Sequence, residues 1–134
     1  MDEATIIAEL SKATEGLLFQ SETDSPIIPF YMPGVGRVTV SAGDLIATYK
    51  PAVTTPVKKL SVEQFFANAA QEQAWQGPEE KESVRRFQNL IQTLEQYLSS
   101  IQVFKIGGVE ADVYVVGRTD SGDFAGVATK VVET

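Results

Sequence analysis

The chain has 134 residues, of which 43% are hydrophobic and 22% charged, as in an ordinary globular domain. Eighteen acidic and eleven basic residues give a net charge of −7, which disfavours nucleic acid and anionic membranes as partners and favours a basic protein. The same acidity also keeps a protein in solution, so it does not by itself define a function. Cysteine and histidine are absent, which excludes disulfide frameworks, thiolate chemistry and the Ser-His-Asp and Cys-His catalytic arrangements.

The sequence begins MDEATIIAELSKATEG, without the basic segment and apolar core of a signal peptide. No apolar run approaches the roughly 20 residues that a membrane-spanning helix needs. We therefore expect a cytoplasmic protein with no membrane partner.

The amino-terminal region predicts one helix followed by a buried run and a loop. Asp2 is a suitable N-cap, and Gly16 is a natural C-terminal stop for the helix between them. Residues 17–19, Leu-Leu-Phe, are expected to be buried. The polar stretch Gln20–Ser25 is expected to form a surface loop.

The next segment predicts a strand, a turn, a second strand and a short helix. Ile27–Met32 has the composition of a strand, and Pro29 within it predicts an edge position. The sequence Pro-Gly-Val-Gly at 33–36 is typical of a turn, because its Gly-x-Gly opens no helix and is too short for a dinucleotide-binding motif. Arg37–Val40 then predicts a short strand, and Ser41 is a suitable start for a helix that continues to Tyr49.

The middle of the chain leads into its strongest helix. Ser61 and Gln64 form a capping-box pattern ahead of a short apolar helix. The polar connection Gln71–Pro78 carries the single tryptophan, Trp75. The segment Pro78–Leu98 predicts a long helix, because its apolar residues repeat every three or four positions and its first turn is acidic.

The last third of the chain predicts a three-stranded antiparallel meander. Its strands are Ile101–Ile106, Asp112–Gly117 and Phe124–Glu133, and the polar loop between the last two is typical of a hairpin. The last strand is apolar on both faces, which favours an interior position in the sheet. Helices combined with a mainly antiparallel sheet predict a single α+β domain over residues 1–134 that ends in a C-terminal hairpin.

Three segments resemble the nuclease A inhibitor family, whose members bind and block a sugar-non-specific, metal-dependent endonuclease. The first is the closing sequence GRTDSGDFAGVATKVVET, and the second is GLLFQSE at 16–22 with Pro26 beyond it. The third combines Phe65-Phe66, Trp75, Glu79-Glu80 and the sequence FQNL at 87–90. The segments occur in the family's order and at similar spacing along the whole chain.

This resemblance implies both a fold and a function. The fold is an α-β-α sandwich, with helices on both faces of the sheet. The function is inhibition of a metal-dependent, non-specific nuclease by a protein that is not an enzyme and needs no cofactor or metal of its own. We expect a monomer that forms a 1:1 complex with the nuclease and does not bind nucleic acid itself.

The resemblance also implies which residues contact the nuclease. Glu22 matches a glutamate at the entrance of the enzyme's active site, Trp75 matches an interface tryptophan, and the carboxylate of Thr134 matches a terminus directed toward the enzyme's metal. Asp24 and Glu133 extend the same acidic patch. The chain departs from the family pattern at Ala74, where an aspartate can precede the tryptophan.

The residues by themselves leave several of these assignments open. Glu22 and Asp24 are also compatible with solvated loop charges, and Trp75 with either a core residue or an exposed binding anchor. The run Asp120–Asp123 resembles part of a calcium loop, but Val131 occupies the position of the twelfth-place glutamate, which favours a simple turn.

A pair of acidic side chains, Glu110 and Asp112, falls on one strand face. Such a pair resembles a two-carboxylate catalytic site, but cross-strand Lys105 or Lys130 is also placed to neutralise it. An exposed sheet face is the favoured interpretation. The alternative to nuclease inhibition is a protein of the same fold that binds another basic protein or a small ligand.

Overall fold

The computed structural model describes residues 2–67 and 69–133, which form four helices and seven strands. In chain order these are α1 (Glu3–Thr14), β1 (Leu18–Gln20), β2 (Asp24–Pro26), β3 (Ile28–Met32), α2 (Ala42–Tyr49), β4 (Val57–Leu60), α3 (Val62–Phe66), α4 (Pro78–Tyr97), β5 (Ser99–Gly107), β6 (Glu110–Arg118) and β7 (Phe124–Val132). None of the helices described is both long and apolar enough to cross a bilayer.

Three of these four helices begin with a side chain that accepts a hydrogen bond from a free backbone N–H of the first turn. Asp2 accepts a hydrogen bond from the backbone of Thr5 at 2.8 Å. Ser41 and Ser61 each form a reciprocal capping box, as the sequence predicts. Helix α4 has Pro78 in its first turn and no side-chain cap.

One antiparallel sheet of five strands, in the order β3-β7-β6-β5-β4, forms the centre of the fold. The interior position predicted for the last strand is confirmed, because β7 pairs with β3 on one side and with β6 on the other. The edge position predicted from Pro29 is also confirmed. Alternating residues of the strands face opposite layers.

The two faces of the sheet carry separate hydrophobic cores, which confirms the α-β-α sandwich. On one face, α1, α3 and α4 pack with the β1–β2 hairpin against side chains such as Val113, Val115 and Val127. On the other face, Leu45 of α2 packs against side chains that include Phe104 and Phe124.

Two local predictions for the amino-terminal region are wrong. The stretch Gln20–Ser25 is not a loop throughout, because its ends belong to the antiparallel pair β1 and β2. The burial predicted for all of residues 17–19 fails at Leu18, which is 44% exposed. Since side chains alternate along an extended chain, Leu17 and Phe19 point inward and Leu18 points outward.

The strand predicted at Arg37–Val40 is also absent from the described structure. Arg37 lies in a tight turn, where its N–H donates to the carbonyl of Gly34 at 2.9 Å. Its side chain pairs with Asp44 in the first turn of α2 at 3.6 Å. The turn and the helix cap leave too few residues for a strand.

The loop between β6 and β7 is a structural turn, as favoured from sequence. The carboxylate of Asp123 accepts hydrogen bonds from the backbone of Gly34 and the hydroxyl of Tyr31, both at 2.8 Å. Both hydrogen bonds lower the pKa of Asp123, and the bond from the backbone of Gly34 has the larger effect. No group of acidic residues in the described chain could hold a metal ion.

Substituting Gly126 of β7 by alanine should destabilise the sheet. A Cβ at this position would overlap the backbone carbonyl of Val115 on the neighbouring strand, which cannot move without shifting β6. We expect a loss of about 1–3 kcal/mol in the free energy of unfolding, the usual cost of overpacking. Urea denaturation measures this loss.

The matched control is Gly43→Ala in α2, where a Cβ meets only the Ser41 hydroxyl at an ordinary 3.6 Å. Alanine inside a helix is favoured over glycine by roughly 0.5–1 kcal/mol, so this variant should be neutral or more stable. Equal stability of the two variants would contradict close packing at Gly126.

Candidate functional site

A cleft of ≈ 910 Å³ opens on the sheet face that carries α1, α3 and α4. One side is formed by the β1–β2 hairpin, and the other by the loop between α3 and α4 together with the start of α4. The floor is formed by β4, β5 and the end of β7. Residues from distant parts of the sequence therefore meet at one place on the surface.

The inner wall of the cleft is aromatic and continuous with the hydrophobic core. The rings of Phe19 and Phe65 stack with centroids 4.6 Å apart and an interplanar angle of 8°. Phe87 of α4 meets Phe19 edge-on at 6.1 Å. These contacts pack the hairpin, α3 and α4 against one another at the inner wall of the cleft.

Two hydrogen bonds join the tip of the β1–β2 hairpin to the end of β7. The N–H of Glu22 donates to the carbonyl of Val132, and the N–H of Val132 donates to the Ser21 hydroxyl, both at 3.0 Å. The Ser21 hydroxyl in turn donates to the carbonyl of Thr23 at 3.1 Å. These bonds hold the exposed Glu22 beside Glu133, and both residues line the cleft.

Trp75 is a surface residue, so its interpretation as a core residue is wrong. Its side chain is 76% exposed and lines the cleft from the loop before α4. The loop is held by a turn in which Gln76 donates its N–H to the carbonyl of Gln73 at 3.1 Å. The side-chain oxygen of Gln76 also accepts from the N–H of Gln73 at 2.9 Å. The tryptophan is thus presented on an ordered turn.

Two acidic residues of the cleft, Glu79 and Glu80, were not predicted as site residues. Both are exposed at the start of α4 and line the cleft together with Trp75. Acidic residues in the first turn of a helix stabilise its amino terminus, and this explanation is sufficient at the level of sequence. Their proximity to Trp75 in the sequence indicates a shared surface, because a short turn keeps neighbouring residues on one side of the molecule.

Glu72, the nearest carboxylate to Ala74 on the amino-terminal side, does not line the cleft. Glu72 lies 3.6 Å from Lys81 and forms an ion pair with it. The carboxylates that accompany the tryptophan in the cleft are those of Glu79 and Glu80 instead.

Two lysines lie on the floor of the cleft. Lys58 of β4 and Lys105 of β5 are directly opposite each other in the strand register, and both line the cleft. Lys105 pairs with Glu133, at 3.1 Å between Nζ and Oε2. Lys130 is the residue opposite Asp112 in the register, so the cross-strand lysine of that acidic face is Lys130.

The structure therefore brings together three of the five predicted site residues, Glu22, Trp75 and Glu133. Asp24 is exposed and lies in β2 opposite Gln20, but it is not itself among the residues that line the cleft. Thr134 lies outside the described residues. With four glutamates and two lysines along its lining, the cleft carries a net negative charge.

The family of nuclease A inhibitor-like proteins matches residues 4–134, nearly the whole chain. The chain belongs to this family. No curated protein matches it significantly. The family match confirms the resemblance inferred from the closing sequence and from the segment around Glu22.

The side chains that line the cleft of this nuclease A inhibitor-like protein are suited to binding another molecule. Carboxylates accept hydrogen bonds from arginine forks in the same geometry as phosphate oxygens do. An exposed tryptophan adds apolar contact area and a face that attracts cations. An acidic rim around an aromatic side chain suits a basic protein surface.

Proposed function

We propose that this protein inhibits a metal-dependent, non-specific nuclease by covering its active site with the acidic, aromatic surface around the cleft. The observation that carries the proposal is the convergence of Glu22, Glu133 and Trp75 on one cleft in a member of the nuclease A inhibitor-like family. The protein acts by binding and catalyses nothing.

The charge of the inhibitor explains why a nuclease is a suitable partner. A site that binds nucleic acid must be basic to hold phosphates, and a net charge of −7 attracts such a surface. Carboxylates replace phosphates on the arginines, and a divalent metal that binds phosphate oxygen also accepts a carboxylate or its bridging water. The carboxylates carry no bond that the nuclease can cleave.

Four of the predicted contact residues have separate parts in this proposal. Glu22 enters the active site from the hairpin tip, and the carboxylate of Thr134, taken as the final residue, approaches the metal of the nuclease. Trp75 is the central anchor of the interface. Asp24 lies outside the cleft lining and contributes to the attraction at longer range.

The direct test is titration of the protein into a digestion assay with a metal-dependent, non-specific nuclease. We expect inhibition that saturates at one inhibitor per nuclease, with a 1:1 complex measured by light scattering. Unchanged DNA digestion at micromolar inhibitor would contradict the proposal and favour another basic protein or a small ligand as the occupant of the cleft.

The association rate constant should fall as salt concentration rises. Electrostatic attraction between the acidic inhibitor and a basic active site accelerates encounter, and screening shortens its range from about 30 Å at 0.01 M to about 3 Å at 1 M salt. Stopped-flow or surface-binding kinetics measure the rate. A rate constant that does not depend on salt over this range would contradict the electrostatic part of the proposal.

Trp75→Ala should weaken binding without weakening the fold. Loss of a packed interface anchor typically costs about 2 kcal/mol or more, which is over tenfold in affinity. Because the side chain is 76% exposed, the free energy of unfolding should change by less than about 0.5 kcal/mol. Urea denaturation and binding titration are measured on the same preparation.

The control for Trp75 is Val38→Ala, which shortens a side chain that is 70% exposed outside the cleft. This variant should keep both its stability and its affinity. A large loss of stability in Trp75→Ala, with unchanged affinity of the folded fraction, would show that the tryptophan is not an anchor.

Glu22→Gln and residues added after Thr134 should each weaken inhibition while leaving the fold intact. Glu22→Gln loses charge-assisted hydrogen bonds, worth about 1.5–3 kcal/mol, or roughly 10- to 150-fold in affinity. An extension converts the terminal carboxylate into a neutral amide, at a cost of about 2–5 kcal/mol if it faces a buried partner charge. Inhibition constants measure both effects, which should be less than additive at a shared centre.

Two controls distinguish an effect specific to these positions from a general effect of lost charge or added bulk. Glu15→Gln removes the same charge at the exposed end of α1, and an amino-terminal tag adds similar bulk elsewhere. Equal potency of the carboxyl-terminal and amino-terminal tagged proteins would show that the terminus takes no part in binding.

A further inference from the structure

The ammonium group of Lys105 lies low on the floor of the cleft, where one carboxylate reaches over it. The lysine side chain is 18% exposed, whereas that of its partner Glu133 is 60% exposed. The two groups are 3.1 Å apart, within hydrogen-bonding distance. The lysine is therefore held by the sheet, and the glutamate leans onto it from the end of β7.

A second lysine makes the ion pair between Lys105 and Glu133 more favourable. Lys58 is directly opposite Lys105 on the neighbouring strand, and like charges in that relation repel each other. The carboxylate of Glu133 offsets this repulsion where the two ammonium groups face the same cleft. Moving Glu133 toward a partner would remove this offset from the two lysines.

The backbone around Glu133 is fixed on both sides as well. Its N–H donates to the carbonyl of Val109 at 2.9 Å, on the side of β6. On the other side, Val132 exchanges hydrogen bonds with Ser21 and Glu22 of the hairpin tip. The backbone of Val132 and Glu133 already connects the sheet to Glu22. The ion pair between Lys105 and Glu133 adds a side-chain contact to this segment.

We propose that Lys105 is a positioning residue of the inhibitor, which acts through Glu133 to hold the end of β7 and the hairpin tip in the arrangement that binds the nuclease. Glu133 is then an internal anchor and not a direct contact of the partner. This inference rests on the proposed function and assigns a basic residue a part in an acidic binding surface. Ordering these side chains before encounter reduces the entropy lost on binding.

The test compares Lys105→Met, Glu133→Gln and the double variant with the wild-type chain. Affinity for the nuclease is one readout, and amide hydrogen exchange at Val132 and Glu133 in the free protein is the other. Lys105→Arg keeps the charge and tests rescue. Lys130→Met is the control, because it removes one positive charge from β7 on the opposite face of the sheet.

We expect Lys105→Met to speed exchange at both amides and to weaken affinity about three- to tenfold, the scale of one or two side chains that must be ordered on binding. Glu133→Gln should have a similar effect, and the double variant should be no weaker than either single variant. Lys105→Arg should restore most of the affinity, and Lys130→Met should match the wild type in both readouts. Urea denaturation confirms that each variant is folded.

Two results would overturn the inference. Additive losses of affinity in the double variant would show that Glu133 contacts the nuclease directly, and unchanged exchange in Lys105→Met would show that the lysine does not position the segment. Absence of inhibition by the wild-type chain would refute the proposed function instead. The exchange measurement in the free protein still decides in that case whether Lys105 fixes the end of β7.

Discussion

The pairing of β6 with β7 is the constraint on which the rest of the structure depends. It runs in unbroken register from Glu110 opposite Val132 to Arg118 opposite Phe124. Because β7 also pairs with β3, both ends of β7 have fixed positions relative to the other elements of the fold. One end carries Asp123, which joins the β6–β7 turn to the loop after β3, and the other carries Glu133 at the cleft.

The cleft concentrates carboxylates at a place where they repel one another. Glu79 and Glu80 line the same cleft as Glu22 and Glu133, and like charges that share a cleft repel one another. The fold offsets part of this repulsion locally, through the helix amino terminus near Glu79 and Glu80 and through Lys105 near Glu133. Binding surfaces commonly sacrifice some stability in this way.

The features that local sequence predicts best are those that depend on neighbours along the chain. The capping boxes at Ser41 and Ser61, the long helix α4 and the terminal hairpin follow from residue types a few positions apart. The exposed position of Leu18 and the β1–β2 pairing were missed, because they depend on what packs against the hairpin. Hydrophobicity alone cannot separate inward from outward positions in so short a strand.

The cleft itself was only partly predictable for the same reason. The family resemblance predicted Glu22 and Trp75 as site residues, and Glu133 was predicted as an extension of the same acidic patch. Their meeting with Lys105 and Glu80 depends on tertiary packing along the chain. An acidic residue in the first turn of a helix is already explained by the helix dipole, so the local sequence did not indicate that Glu80 lines a cleft. The pairing of Lys105 with Glu133, 28 residues away, has no local signature at all.

The edges of the sheet determine how this protein meets other chains. One edge strand, β3, contains Pro29, which has no N–H to donate to an incoming strand. The other, β4, is four residues long and carries Lys58 and Lys59, whose charges discourage another strand from aligning there. Both edges thus resist the backbone pairing from which fibrils and other aggregates grow.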